Sequence, residues 1–373
     1  MLRWLQPLVL LGLGAWLPGC SLFDASTPPP EAVAPAPLSE PLATTRFPLP
    51  AAGVNVVGEL QVIRLREQDT LIDVAMAYQL GFDELVAANP GVDPWLPGEG
   101  REILLPTRFV LPDAPRQGIV LNVPAKRLFY YPKPAKGAAA EVHTFPVSIG
   151  REGWATPYGL TRITSKRKDP AWNVPASIRK EHAENGDPLP AVVPAGPDNP
   201  LGAYAMRLGF PGSYLIHGTN KPAGIGIRAS HGCIRMNPQH IEWLYQQAAV
   251  GTPVRVVNQP LLLGVSGEEL LLEAHAPLEE DKTRHGEALK RAVGKQLARI
   301  GSDGAQVDPE RIARISGAQR GVPLSIMNGG FDLATSMAGA PRVRNVVSYD
   351  WFDGDAAGGE PLPAADASPL HPR

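Results

Sequence analysis

A mainly β fold with few helices is what this 373-residue sequence predicts, and three observations predict it. The chain carries 41 prolines and 38 glycines, a load that suits turns, linkers and tails and argues against long helical bundles. Short apolar or alternating runs such as GIVLNV, RLFYY, EVHTFPVSIG and PVRVVN are bounded by Gly and Pro. Well-signalled helices are few. The length allows more than one domain. Lys and Arg number 35 against 37 Asp and Glu, so the net charge of −2 gives no reason to expect nucleic acid or an anionic surface as partner.

Residues 1–19 read as a signal peptide: one arginine, an apolar run over residues 8–17, then Pro18 and Gly19 ahead of Cys20. The run is too short to span a bilayer and has the order of a secretory signal. Leu17-Pro18-Gly19-Cys20 resembles a bacterial lipobox, which implies that Cys20 becomes the acylated first residue of the mature protein. Ser21 resembles the signal for transfer to the outer membrane. Residues 20–57 are rich in Pro and Ala and read as an extended tether.

Residues 58–107 form a small βααβ unit. GELQVIRL reads as a strand, Thr70 and Asp73 have capping-box spacing, and Leu71, Val74, Ala75 and Tyr78 give one apolar helix face. A second helix starts near Asp83 and stops before Asn89-Pro90, and REILLP returns as a strand. QDTLIDVAMAYQLGFDELVAANPGVDPWLPGEGREILLP resembles the lysin motif (LysM), which implies binding of N-acetylglucosamine-containing glycans.

Residues 117–258 are mostly β, with one clear helix that Asn237 caps, Pro238 opens, and Ile241, Leu244, Tyr245 and Ala248 stripe. Residues 259–279 read as a hairpin around Ser266-Gly267. Residues 280–373 read as a charged helix, with a solvated face, and a disordered tail.

Chemistry concentrates in HGTNKPAGIGIRASHGCIRM, residues 217–236. With Cys20 lipidated, Cys233 has no partner for an intramolecular disulfide, and an unpaired thiol in an exported chain is a liability unless it is used. His217 and His231 are candidate bases, the coming helix offers a positive potential, and Gly218 and Gly232 allow close backbone approach and N–H donors for an oxyanion. A zinc reading has Cys233, His231 and His217 as ligands. Their spacing fits no paired metal motif and no acidic residue stands near in sequence, so neither metal nor cofactor is expected.

HGT followed by SHGCIR, with His217 and Cys233 sixteen positions apart (233 − 217), resembles the L,D-transpeptidase (YkuD) family. The similarity extends back through PAVVPAGPDNPLGAYAMRL. With the LysM-like unit it looks closest to the periplasmic subgroup that attaches the major outer-membrane lipoprotein to peptidoglycan. The resemblance implies a YkuD-type β-sandwich. It also implies Cys233 as nucleophile, His217 as base, and the Gly218 carbonyl orienting the imidazole in place of a triad carboxylate. His231, Gly232 and the Cys233 amide would shape the oxyanion site, and Arg235, Arg228 and Ser230 would meet substrate or steady the loop. The implied substrates are peptidoglycan tetrapeptide stems, with a lipoprotein lysine or a second stem's diamino acid as acceptor. Two alternatives remain open: a cysteine carboxypeptidase or amidase trimming the same stem, and a non-catalytic wall-binding lipoprotein. A long loop, SKRKDPAWNVPASIRKEHAENGDPLP, with Trp172, Arg179 and Lys180, is expected to form the acceptor groove.

Overall fold

The computed structural model describes residues 38–281, 285–299 and 306–349; the expected signal peptide, Cys20 and the last residues from 350 lie outside the described residues. In chain order, β1 (Arg46–Pro48) and β2 (Val56–Gly58) precede β3 (Gln61–Arg64), α1 (Leu71–Ala77), α2 (Phe82–Ala88), β4 (Glu102–Leu105) and β5 (Arg108–Val110). The next block runs β6 (Gly118–Asn122), β7 (Arg127–Tyr131), β8 (Glu141–Gly150), β9 (Gly159–Lys168), β10 (Trp172–Asn173), α3 (Ala176–Glu184), β11 (Val192–Val193), β12 (Tyr204–Leu208) and β13 (Leu215–His217). A short 3-10 turn at Pro222–Gly224 follows. Then come β14 (Arg228–Ser230), β15 (Ile234–Met236), α4 (Pro238–Gln247) and β16 (Pro253–Val257). The chain continues through β17 (Leu261–Ser266), β18 (Glu269–Ala274), α5 (His285–Arg299), α6 (Pro309–Ala318), β19 (Leu324–Ser325) and α7 (Leu333–Gly339).

The β block closes on itself. Strand order is β8-β15-β13-β12-β9-β16-β6-β7, and β7 pairs again with β8. Two ten-residue strands make the closure possible: β8 pairs β7 through His143–Pro146 and β15 through Val147 and Ser148. Likewise β9 pairs β16 over 159–162 and β12 over 163–168. The result is two facing sheets joined at both edges by shared strands, which leaves few unpaired edges. Ile119, Leu121, Leu128, Val147, Ile163, Met206, Ile216, Ile234 and Val254, all buried, fill the space between them, and α4 closes it with Ile241 and Leu244.

The βααβ order is present, with β3 antiparallel to β4. Thr70 and Asp73 cap α1 reciprocally, the Thr70 hydroxyl taking the Asp73 amide at 3.2 Å and the Asp73 carboxylate taking the Thr70 amide at 3.0 Å. This unit is bolted to the sheet by a buried ion pair: Arg127 of β7 meets both carboxylate oxygens of Glu84 on α2 at 3.0 and 2.5 Å and lies over the Phe109 ring at 4.1 Å.

Three segments differ from the sequence expectation. Within the range read as tether, β1 pairs antiparallel with β8 and β2 with β5, because Phe47 and Val57 are buried and suffice to dock two edge strands. The helix read as a solvated face, α5, turns Leu289, Val293 and Leu297 inward at i, i+4, i+8 against β17 and β18. Residues 306–349, expected in the tail, carry α6, β19 and α7, and β19 extends the β17–β18 hairpin. Val343 and Val347 join the core of the βααβ unit, and Tyr78 donates its hydroxyl to the Arg344 carbonyl at 2.8 Å. Spread over several short elements, this apolar content shows no single periodic run in the sequence.

Glu84→Ala leaves the Arg127 guanidinium buried without its carboxylate, and urea unfolding is expected to show a loss of about 3–5 kcal/mol. Glu184→Ala, which removes only an exposed partner of Lys180, is expected to stay within about 0.5 kcal/mol.

Candidate active site

The motif residues meet because β13 and β15 run parallel, with Ile216 opposite Ile234 and His217 opposite Arg235. His217 therefore ends one strand while Cys233 precedes its neighbour. The Leu215 amide, one register step earlier, donates to the Cys233 sulfur, and Sγ stands 3.6 Å from the Ser213 carbonyl.

His217 is buried, and its Nδ1 lies 2.7 Å from the Gly218 carbonyl oxygen. A carbonyl can only accept, so Nδ1 carries the proton and Nε2 keeps its lone pair. Burial, with the Arg235 charge as a second cause, lowers the imidazole pKa from 6.5 to about 3, against hydrogen bonds to the Gly218 and Leu201 carbonyls. Cys233 is half-buried, yet burial pushes its thiol upward, and the Leu215 amide and Arg235 only partly oppose this. Both groups therefore rest neutral, Cys233 as thiol and His217 as imidazole, rather than as thiolate and imidazolium. The help expected from the helix N-terminus is not at hand, because β15 intervenes between Cys233 and α4. The nearby cation is Arg235, itself largely buried, with Nε lacking a hydrogen-bond partner among the described residues.

The turn before Cys233 is braced rather than open. Ser230 is buried, donates its hydroxyl to the Cys233 carbonyl at 2.5 Å and accepts the Gly232 amide at 3.2 Å. Ser230 thus braces the loop, and the Gly232 N–H is bonded to its hydroxyl. Gly232 is needed for its backbone conformation, since its φ is +95° and a Cβ there would meet Tyr214 Cε1 at 2.8 Å. Arg228 donates to the Gly150 carbonyl at 3.2 Å and pairs with Glu280 at 2.9 Å, so it too is a structural donor.

His231 points to residues the sequence did not single out. Its Nε2 lies 3.3 Å from Glu181 of α3 and 3.1 Å from Arg151, which also bonds Glu181, and Trp154 packs edge-on at 4.8 Å. Burial first, then Arg151, holds the His231 pKa below its ordinary range, against the pull of Glu181. The segment read as one loop begins in the last residues of β9, contains β10 and α3, and leads to β11, which pairs with β10. Of the three residues expected to line it, Trp172 is half-buried in β10 while Arg179 and Lys180 lie exposed on α3. A signal for α3 does exist in the sequence: ASIRKEHAE follows Pro175 with no Gly or Pro and is rich in helix formers.

A thiol and a neutral imidazole carried by neighbouring parallel strands, with the Arg235 charge acting on both, are the parts of cysteine-based acyl chemistry. Comparison with known proteins gives the family. Residues 116–256 match the family model YkuD, L,D-transpeptidase catalytic domain. The chain is 39% identical to the probable L,D-transpeptidase YcfS of Escherichia coli K12 over 295 residues, covering 78% of this chain and 90% of that protein. It is 36% identical to the probable L,D-transpeptidase ErfK/SrfK of Salmonella typhimurium, covering 76% and 91%. With the probable L,D-transpeptidase YbiS of E. coli K12 it shares 41%, covering 62% and 75%. The chain belongs to the L,D-transpeptidase family.

Alkylation by iodoacetamide, read by intact mass, is expected to rise with pH with a midpoint above the 9.0 of an ordinary thiol; a midpoint below 7 would mean a preformed thiolate. His217 also makes stability depend on pH. Between about 3 and 6.5 the unfolded chain binds a proton at this histidine that the folded chain refuses, so stability is full above 6.5 and falls as pH drops toward 3. His217→Gln is expected to reduce that slope in denaturant titrations at pH 4, 5 and 7, leaving the part that buried His240, lowered to about 4, contributes in the same sense.

Proposed function

We propose that the protein is a cysteine L,D-transpeptidase of peptidoglycan, exported and held by lipid on Cys20, periplasmic and facing the wall from the outer membrane. The observation that carries the reading is the 2.7 Å contact from His217 Nδ1 to the Gly218 carbonyl, which presents Nε2 as a neutral base on the strand beside Cys233. As the Cys233 sulfur attacks the carbonyl carbon of the third stem residue, a diamino acid, its proton passes to His217 Nε2. The Cys233 amide stabilises the oxyanion. The C–N bond to the terminal D-alanine then breaks, and the imidazolium delivers its proton to the departing amine, leaving a thioester. An amine attacks that thioester, gives its proton to His217, and releases the thiolate, which takes the proton back. One amide is exchanged for another, so no nucleotide is required.

Arg235, whose charge acts on both Cys233 and His217, is the group to meet a substrate carboxylate in this reading. Glu181, Arg151 and His231 tie α3 to the Cys233 turn, and the β10–α3–β11 excursion forms one wall of the acceptor groove. The acceptor is a lipoprotein's terminal lysine or a second stem's diamino acid, which are chemically the same nucleophile. The βααβ unit, as a LysM-like module, holds the glycan.

Incubating the protein with disaccharide tetrapeptide, alone and with a lysine-ended lipoprotein peptide, and reading products by mass, tests this. A crosslinked dimer or peptide adduct that disappears in Cys233→Ala is expected. Tripeptide alone would make water the acceptor and the protein a carboxypeptidase; unchanged substrate would leave a wall-binding lipoprotein.

A further inference from the structure

Well along β8 from Cys233, a cavity of about 510 Å³ opens between β8, α4, the end of α1 and the 132–139 loop. His143 and Phe145 of β8 line it, while Ser148 of the same strand opposes Arg235. At about 3.3 Å per residue the two places are roughly 10–17 Å apart. Cys233, His217 and Arg235 are not among its lining residues.

Its walls combine a fixed aromatic face with one ion pair and the exposed Lys133. Trp243 is half-buried and held by His143 at 4.4 Å, Phe145 at 5.6 Å and Tyr130 at 5.9 Å. Arg46 donates to Glu141 at 2.9 and 2.5 Å, and His143 Nε2 lies 3.3 Å from the same carboxylate. The guanidinium at this wall is therefore already neutralised. Gln79 and Gln247 bring amides.

Gln79 takes a left-handed conformation, φ 55°, at the end of α1, where glycine would fit at lower cost. From there its Oε1 accepts from His240 Nε2 at 3.3 Å, which leaves Nδ1 of the buried His240 an acceptor without a partner among the described residues. A buried acceptor without a donor costs about 1–3 kcal/mol, so this wall of the cavity carries an unrelieved polar atom.

We propose that this cavity is a second binding site, for a neutral oligosaccharide. A sugar ring offers a C–H face to Trp243 and hydroxyls to the Gln79 and Gln247 amides, and the exposed Lys133 ammonium donates to hydroxyls without requiring an anion. It is distinct from the βααβ unit's own expected glycan surface, though Gln79 at the end of α1 contributes to it.

The test is calorimetric titration of the full-length protein with chitotetraose and, separately, cellotetraose. Ala139→Trp plugs the cavity from an exposed loop, and Trp243→Ala removes the aromatic face. Expected is saturable binding of at least one sugar that weakens roughly tenfold or more in both variants, with Cys233 alkylation in Ala139→Trp unchanged as a check of the fold. Equal affinity in Ala139→Trp and the parent, or no binding of either sugar at millimolar concentration, overturns the site. Since binding is read without turnover, its failure is separate from failure of the chemistry proposed at Cys233.

Discussion

The parallel pairing of β13 with β15 is the constraint on which the site depends. Antiparallel neighbours can be joined by a two-residue turn, but parallel neighbours need a crossover of a dozen or more residues. Here the crossover is the motif itself, the chain between His217 and Cys233, which carries the 3-10 turn at Pro222–Gly224 and β14, paired with β8, on its way back. The sixteen-residue spacing meets that minimum with room for the 3-10 turn and β14, and returns the chain to the start of β15 beside β13.

Within that frame, burial outweighs charge. Arg235 favours a thiolate at Cys233 and disfavours an imidazolium at His217, but desolvation is the leading cause at both groups and keeps both neutral. A thiol held neutral is slow to react, because reactivity follows the thiolate fraction. The Gly218 carbonyl fixes the His217 ring without adding a charge that would draw it toward the imidazolium.

What is legible in the sequence follows from locality. Cys233, His217 and Gly218 lie in one crossover, so their meeting can be read from one stretch of chain, and α1 and α4 announce themselves through Thr70 and Asn237. Glu181 and Arg151 reach His231 only after α3 folds back over the turn, and nothing local pairs residues 30 to 80 positions apart. Ser230 and Arg228, which the sequence leaves between meeting substrate and steadying the loop, depend on the same long-range placement. A hydroxyl or guanidinium beside a nucleophile looks available until the backbone around it is placed, and here both are spent on carbonyls or on Glu280. The span from β1 to β2 carries no readable signal because two buried side chains, Phe47 and Val57, are too few to form a pattern.

The βααβ unit is more than a passenger on a tether. Gly226 of the crossover, φ +95°, packs so closely on α2's approach that a Cβ would come within 2.4 Å of Gly81 Cα, and the Phe82 amide donates to the Ile225 carbonyl at 3.1 Å. With Glu84 locked to Arg127, one small unit supports the crossover from below and closes a face of the closed sheet. A substitution at Gly226 would therefore push on two bodies at once, the helix that starts at Phe82 and the loop that ends at Cys233. The position of the thiol is set jointly by the sheet that carries it and by the unit packed beneath its crossover.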